Sequence, residues 1–208
     1  MSTTRGALIV LEGVDRSGKT TQCKNLVEWL SKSGKKAKYI NFPDRSTDCG
    51  SLIDKFLTNN QEFNDETIHL LFSLNRWESK SKMEKLLKEG ITLVVDRYSY
   101  SGVAYSAAKG LSYDWCKNPE VGLLKPDLVL YLTLTCEAML SRKGFGNERY
   151  ENKEFQKKVR ECFEKLYDSS YWQNVDANRS EMDLTQVLAK YADETILSMS
   201  NKPLKLLW

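Results

Sequence analysis

The chain has 208 residues, of which 41% are hydrophobic and 28% charged, and its net charge is +3. This composition is typical of a soluble globular protein with a full core, and the alternation of basic and acidic residues argues against the basic stripe of a nucleic-acid-binding protein. Five scattered cysteines without a C-x-x-C pair, and a single His, argue against a zinc site or a disulfide framework and predict free thiols in a reducing compartment.

Five short segments predict β-strands. The first, residues 7–11, is too short for a signal peptide or a membrane span, so we expect a cytoplasmic protein without membrane contact, a nuclear pool being left open. Residues 91–95 and 128–132 are further continuous apolar runs, which suit strands that are covered on both faces. Residues 38–42 and 172–176 are weaker candidates.

Segments with helical spacing of apolar residues separate these strands. The spacing predicts helices over residues 19–34, 68–90, 155–166 and 184–197, the first two ending at glycines. This alternation predicts one α/β domain, residues 1–208, with a doubly wound five-stranded parallel sheet flanked by helices. In such sheets ligands bind beyond the carboxyl ends of the strands.

The segment after the first predicted strand reads G-x-x-x-x-G-K-T, from Gly13 to Thr20. With a strand before it and a helix after it, this motif predicts a phosphate-binding loop and a P-loop NTPase fold. The glycines let successive backbone N–H groups point at phosphate oxygens, and the helix adds its positive N-terminal end. Lys19 is predicted to reach the β- and γ-phosphates, and the hydroxyl of Thr20 to ligate Mg²⁺.

Two charged residues inside this loop are unusual for a generic P-loop. Arg16 places a fixed cation where transition-state charge develops, as an arginine finger in cis would. Asp15 is unfavourable beside a polyphosphate unless it faces elsewhere, and a sugar hydroxyl is a sensible target for it. Two solvated loop charges remain the alternative interpretation.

Asp96 and Arg97 follow the third predicted strand. An acidic residue at this end of a strand is suited to organise a metal ion, and the neighbouring arginine can clamp a phosphate with two hydrogen bonds. The alternative is an exposed turn between the strand and the next element.

The sequence offers no evident catalytic base. The only His, His69, lies on a mostly apolar helix, where a packing role is the simpler interpretation. A phosphate monoester needs no base, because its second pKa of about 6 leaves its oxygens anionic near neutral pH. This pattern favours a nucleoside monophosphate kinase over a kinase that acts on a neutral hydroxyl.

Five blocks in this order resemble the eukaryotic thymidylate kinases. They are LEGVDRSGKT at 11–20, FPDR at 42–45, LFSLNRW at 71–77, DRY at 96–98 and SGVAY at 101–105. The resemblance spans nearly the whole chain, and the blocks together are far more specific than any one of them. It implies transfer of the ATP γ-phosphoryl group to dTMP, which gives dTDP and ADP on the route to dTTP.

The resemblance also implies roles for individual residues. Those around dTMP would be Asp15, Phe42, Arg45, Phe72, Arg76, Arg97, Ser101, Gly102, Tyr105 and Tyr150. Arg45 and Arg97 would hold its phosphate, and Asp15 its 3′-hydroxyl. Phe72 would stack on thymine, Arg76 would hydrogen-bond the base, and Tyr105 would crowd the ribose 2′ position.

On the donor side, the resemblance implies ATP contacts from Gly13, Arg16, Ser17, Gly18, Lys19, Thr20, Thr21, Arg142 and Arg179. Arg16, Lys19 and Asp96 would be catalytic, and Thr20 with Asp96 would serve Mg²⁺. Residues 141–151, with two glycines and flanking basic residues, predict a lid over ATP. The family is homodimeric, and the helix over residues 65–88 could supply the contact surface.

Two other enzyme functions remain open from the sequence, and a switch-type nucleotide-binding protein with little turnover remains open from another class. A deoxynucleoside kinase would need a base to deprotonate a 5′-hydroxyl, and Glu12 is suitably placed along the chain. Another nucleoside monophosphate kinase is the second alternative within enzymes. A GTPase-like switch would carry a guanine-reading N-K-x-D motif, which this sequence lacks.

Overall fold

The computed structural model describes residues 4–135, 138 and 148–208 of the chain. Its strands are β1 (Leu8–Glu12), β2 (Ala37–Asn41), β3 (Thr92–Asp96), β4 (Leu128–Thr133) and β5 (Trp172–Asp176). They pair in parallel in the order β2-β3-β1-β4-β5, so that β1 is central. The predicted parallel sheet is confirmed. The first and last residues of each strand lie within one residue of the predicted positions.

Seven α-helices lie in the described part of the chain. They are α1 (Lys19–Lys32), α2 (Asp48–Leu57), α3 (Asp65–Lys88), α4 (Ser99–Ala108), α5 (Tyr113–Lys117), α6 (Lys153–Leu166) and α7 (Glu181–Met199), and a 3₁₀ turn covers Asn118–Glu120. Side chains cap several N-termini, as Asn64 does for α3 by accepting a 2.8 Å bond from the N–H of Thr67. Within the described residues, no helix is both long and apolar enough to cross a membrane.

The two faces of the sheet carry separate apolar cores. Leu8 and Val10 of β1 face one core, to which α3, α4 and α6 contribute, while Ile9 and Leu11 face the other, which α1 and α7 complete. Both faces are therefore covered, which explains why β1 is a continuous apolar run rather than an alternating one.

Helices α2, α4 and α5 were not predicted from the sequence. The first six residues of α4 are all buried, so this helix lacks the polar face that creates a helical period. In α2, Gly50 is a poor helix former, yet a Cβ there would lie 1.8 Å from the carbonyl oxygen of Asp44. The glycine thus lets the loop that carries Arg45 lie directly on α2.

His69 and the C-terminal residues both serve packing. The His69 ring nitrogens lie 2.8 Å from the hydroxyl of Ser106 and 2.9 Å from the carbonyl of Cys116, and burial lowers the pKa of the ring. Leu207 is buried and donates its N–H to the carbonyl of Leu123 at 2.8 Å. Neither His69 nor the C-terminal residues line the ligand cleft at the carboxyl ends of the strands, which supports the non-catalytic interpretation of His69.

Candidate active site

A cleft of about 610 Å³ opens at the carboxyl ends of the strands. The loop after β1 forms one wall, and α2, α3 and α4 contribute residues to the other. This is the edge of a parallel sheet where ligands are expected, and the volume suits small-molecule ligands.

The phosphate-binding loop is folded as its motif predicts. Gly18 has a φ of 94° at the cap of α1, a conformation that side chains rarely adopt. The Lys19 ammonium turns back on the loop and donates to the carbonyls of Gly13 and Val14 at 3.1 and 2.7 Å and to the Ser17 hydroxyl at 3.2 Å. Burial, reinforced by the charge of Arg97, lowers the pKa of Lys19 to about 8. A polyphosphate bound to the loop would add negative charge beside this buried ammonium and favour its protonated form.

Thr20 and Asp96 meet where α1 begins and β3 ends. The Thr20 hydroxyl donates to Oδ2 of Asp96 at 2.5 Å, and the Tyr39 hydroxyl lies 3.3 Å from the same oxygen. A hydroxyl and a carboxylate beside a phosphate loop are oxygen ligands of the kind that Mg²⁺ takes alongside phosphates and waters. The donor set therefore fits a magnesium ion. The described residues hold no cluster of three or more His, Cys, Asp or Glu that would form an all-protein metal site.

Asp15 and Arg97 form an ion pair across the cleft. Arg97 has a φ of 64°, which is strained for a residue other than glycine. This turn aims its guanidinium at Asp15 Oδ1, at the carbonyl of Gly13 at 3.3 Å and at the Ser101 hydroxyl at 3.2 Å. Gln156 of α6 fixes Asp15 from the other side, donating to Oδ2 at 2.6 Å and accepting from its backbone N–H at 2.8 Å.

Acidic side chains also pair with the other two arginines on this part of the cleft. Arg45 binds Asp54 at 2.5 Å and Glu148 at 2.7 Å. Arg16, whose φ of 61° is again left-handed, donates from Nε to Glu151 at 2.7 Å. The hydrogen bond from Arg16 to Glu151 raises the pKa of this guanidinium.

The inner end of the cleft, away from the phosphate loop, is aromatic and apolar. Phe42, Phe72, Tyr105 and Tyr150 line it together with Arg76. Tyr105 packs edge-on against Tyr150 with ring centres 5.6 Å apart, and the Arg97 guanidinium lies 5.3 Å from the Tyr105 ring centre. Burial raises the pKa of the Tyr105 hydroxyl well above its ordinary value. This end could hold a flat ring, while the charged end holds phosphates.

Comparison with known proteins identifies the family. The sequence profile of the family described as thymidylate kinase matches residues 11–187. The chain belongs to the thymidylate kinase family. The thymidylate kinase of Arabidopsis thaliana is 51% identical over 205 residues, which cover 98% of this chain and 78% of the relative. That of Homo sapiens is 46% identical over 211 residues and is covered completely, as is this chain. The solved structure of thymidylate kinase from Candida albicans superposes with a TM-score of 0.90 at 38% identity, covering 99% of this chain and 100% of that chain.

Most of the residues that the family resemblance pointed to line this one cleft. They are Asp15, Arg16, Gly18, Lys19, Thr20, Thr21, Phe42, Arg45, Phe72, Arg76, Asp96, Arg97, Ser101, Gly102, Tyr105 and Tyr150. Gly13 and Ser17 belong to the loop but do not line the cleft, and their oxygens accept hydrogen bonds from Lys19. Arg179 lies elsewhere, in a separate groove beside Asp183 and Tyr191, so its contact with ATP stays a prediction. Arg142 and residues 141–147 of the expected lid lie outside the described residues.

Three acidic residues and one glutamine at this thymidylate kinase site were not singled out as site residues from the sequence. Glu148, Glu151 and Gln156 hold Arg45, Arg16 and Asp15, and Glu120 holds Arg76. No local motif marks them, because each partner lies at least 44 positions away along the chain. Only the folded sheet brings them together.

Arg149, at the end of the expected lid, is a second arginine that could act in catalysis. Its guanidinium binds Glu62 and lies 4.1 Å from the ring centre of Phe56. Arg16 belongs to the phosphate loop and lines the cleft. The geometry therefore favours Arg16.

Proposed function

We propose that this protein transfers the γ-phosphoryl group of ATP to dTMP, giving dTDP and ADP for dTTP synthesis, within a single domain. The observation that carries the proposal is the cleft itself, whose lining combines a P-loop for one phosphate chain with two arginines, Arg45 and Arg97, for a second phosphate. Membership of the thymidylate kinase family supports the same reaction.

On the donor side, the loop N–H groups and Lys19 hold the ATP phosphates, and Thr21 lies just inside α1. Arg16 approaches the transferred group and stabilises the charge of the transition state. Its pairing with Glu151 holds the guanidinium at the mouth of the loop until phosphate replaces the carboxylate.

On the acceptor side, Arg45 and Arg97 hold the dTMP phosphate, and Asp15 accepts a hydrogen bond from the sugar 3′-hydroxyl. Phe72 stacks on the base and Arg76 donates to it, since both side chains line the inner end of the cleft. Ser101 and Gly102 complete this wall. The phosphate of dTMP is already anionic, so positioning and cations carry the catalysis.

The ATP-dependent reaction of this family implies a divalent metal, which we propose to be Mg²⁺ held by Thr20 and Asp96. Such an ion would neutralise charge on the β- and γ-phosphates. Asp96 sits at the end of β3, where the parallel sheet fixes it relative to the loop.

The structure argues against a deoxynucleoside kinase that uses Glu12 as its base. Glu12 is fully buried and accepts hydrogen bonds from the N–H groups of Tyr98 and Ser101 and from the Ser101 hydroxyl. Burial raises the pKa of this carboxyl, although the Ser101 hydroxyl opposes the shift. It does not line the cleft, so it cannot reach an acceptor hydroxyl there.

A coupled assay tests the proposed function. ATP with Mg²⁺ is offered with each nucleoside monophosphate in turn and with thymidine. We expect turnover with dTMP to exceed that with every other acceptor. Robust turnover of thymidine with none of dTMP would overturn the proposal, and preference for a different monophosphate would identify another kinase of this class.

Asp15→Asn should raise KM for dTMP by about 10-fold or more, because a hydrogen bond to a charged acceptor contributes about 1.5–3 kcal/mol. KM for ATP should change little. The matched control is 3′-deoxy-dTMP, which lacks the hydroxyl in question. Its KM should rise less on Asp15→Asn than the KM for dTMP does. Equal losses for the two acceptors, or for ATP, would contradict the sugar contact.

Tyr105→Ala should lower the preference for dTMP over its ribonucleotide by about 10-fold, because the ring would no longer crowd the 2′ position. Tyr105→Phe keeps the ring and should keep the preference. The measurement is kcat/KM for both acceptors with each variant. A deoxy preference that survives Tyr105→Ala would place the selection elsewhere.

We propose in addition that the protein is a cytoplasmic homodimer that joins through α3. Leu70, Leu74 and Trp77 on this helix are 47%, 51% and 36% exposed and recur at helical spacing, so they share one outward face. Leu74→Glu should yield monomers in sedimentation experiments, and an unchanged mass would move the interface to another surface.

A further inference from the structure

The inner end of the cleft contains a buried ion pair between Arg76 and Glu120. Arg76 is 2% exposed and Glu120 is fully buried. Nε of Arg76 donates to Oε2 of Glu120 at 2.8 Å, and Nη2 donates to Oε1. Two parallel bonds of this kind fix the plane of the guanidinium as well as its position.

Neighbouring residues hold this pair in place. The Ser99 hydroxyl donates to Glu120 at 2.8 Å, and the turn that carries Glu120 is gripped at the carbonyl of Pro119 by Ser73 at 2.9 Å and Trp77 at 2.7 Å. Gly102 closes the other side, where a Cβ would lie 2.5 Å from Nη2 of Arg76. The guanidinium therefore lies between the carboxylate of Glu120 and the backbone of Gly102, which carries no side chain.

This arrangement decides what Arg76 can offer to a ligand. A guanidinium has five N–H groups and no acceptor, and it stays protonated in proteins. Glu120 takes one N–H from Nε and one from Nη2, and Arg76 lines the cleft. The ligand atom that meets the remaining N–H groups must therefore accept a hydrogen bond.

We infer that Glu120 is a positioning residue that orients Arg76, so that the cleft selects bases with a carbonyl where cytosine has an amino group. The inference rests on the proposed function, in which Arg76 meets the base of the acceptor. Thymine presents the acceptor O4 at this position, and cytosine presents the donor N4–H₂. If cytosine bound here, its amino group and the guanidinium would face each other as two donors, and both would stay unpaired in a buried site. The resulting loss of binding free energy discriminates strongly against cytosine.

The test is Glu120→Gln, which keeps the shape but replaces one carboxylate oxygen with an NH₂ donor aimed at the guanidinium. We expect KM for dTMP to rise about 10-fold or more, with kcat and KM for ATP within about 3-fold of the parent, because the change affects base recognition alone. The ratio of kcat/KM for dTMP over dCMP should fall about 10-fold. Direct titration of dTMP by calorimetry should show the same loss of affinity.

Asp127→Asn is the matched control. Asp127 pairs with Arg5 in the same manner, with side chains 11% and 8% exposed, but at the other end of the sheet and outside the cleft. Both variants should lower the unfolding temperature, since each leaves a largely buried arginine without its partner. Only Glu120→Gln should change the dTMP over dCMP ratio. An equal change of this ratio in the control would reduce the role of Glu120 to general stability and overturn the inference.

Two further outcomes are decisive. Failure of the parent protein to bind or phosphorylate dTMP would refute the proposed function, whereas a parent that works beside an unchanged Glu120→Gln ratio would refute the inference alone. If Glu120→Gln does not fold, Ser99→Ala takes its place, because it removes only one hydrogen bond to Glu120. We then expect a fall of about 3-fold in the ratio, as suits one lost hydrogen bond, and an unchanged ratio refutes the inference.

Discussion

Arg16→Ala should lower kcat by about 10³-fold while the Kd of ATP stays within about 3-fold of the parent, as expected when a group acts mainly on the transition state. Arg16 is part of the phosphate loop, and its left-handed backbone directs the side chain into the cleft. Its partner Glu151 is a carboxylate that a phosphate can replace. The measurement is single-turnover phosphoryl transfer together with calorimetric titration of ATP.

Arg149→Ala is the matched control for this variant. Arg149 carries the same charge as Arg16 and is only two residues from Glu151 along the chain. It pairs with Glu62 instead and packs on Phe56. We expect its removal to change kcat by less than about 3-fold, as usual for an arginine in a surface ion pair. Turnover that survives Arg16→Ala and falls with Arg149→Ala would exchange their roles.

Asp96→Asn should raise the Mg²⁺ concentration for half-maximal activity by about 10- to 100-fold, the usual effect of losing a group that orients a metal site. At saturating Mg²⁺, kcat should still fall about 10²-fold, because the amide leaves more phosphate charge uncompensated. Titration of Mg²⁺ at fixed ATP and dTMP gives both numbers. The Kd of dTMP, measured without metal, should not change.

Tyr39→Phe separates the metal role of Asp96 from its packing. The Tyr39 hydroxyl bonds to Oδ2 of Asp96, so this variant removes a neighbour of the carboxylate and leaves its charge. We expect a smaller rise in the Mg²⁺ requirement than Asp96→Asn produces. An Asp96→Asn enzyme with a normal Mg²⁺ titration would exclude the carboxylate from the metal site.

The sheet and the position of the phosphate loop could be predicted because their signals are local. All five residues of β1 and of β3 are buried, which produces continuous apolar runs, and the phosphate loop is one contiguous motif. Asp96 and Arg97 could be placed since the end of a parallel strand fixes their edge of the sheet.

The carboxylates and the amide that hold the site together could not be predicted. Arg76 and Glu120 are 44 positions apart, Glu12 and Ser101 are 89 apart, and Arg16 and Glu151 are 135 apart. A lone Glu on a polar stretch looks the same whether it is solvated or buried against an arginine, and only the tertiary fold decides. Helix α4 was not predicted for a related reason, since burial of its first six residues removes the helical period of polar and apolar positions.

The arginines at the charged end of the cleft, within the part of the chain that the structure describes, are each already neutralised by an acidic side chain. Arg45 holds Asp54 and Glu148, Arg97 holds Asp15, and Arg16 holds Glu151. If these arginines bind phosphate as proposed, the phosphate would replace the carboxylates, and substrate affinity would depend less on ionic strength than it would with three unpaired cations. Two of the displaced carboxylates belong to residues 148–151, directly before α6. Binding of phosphate would thus release Glu148 and Glu151 from their arginines, so that occupancy of the cleft changes the contacts of residues 148–151.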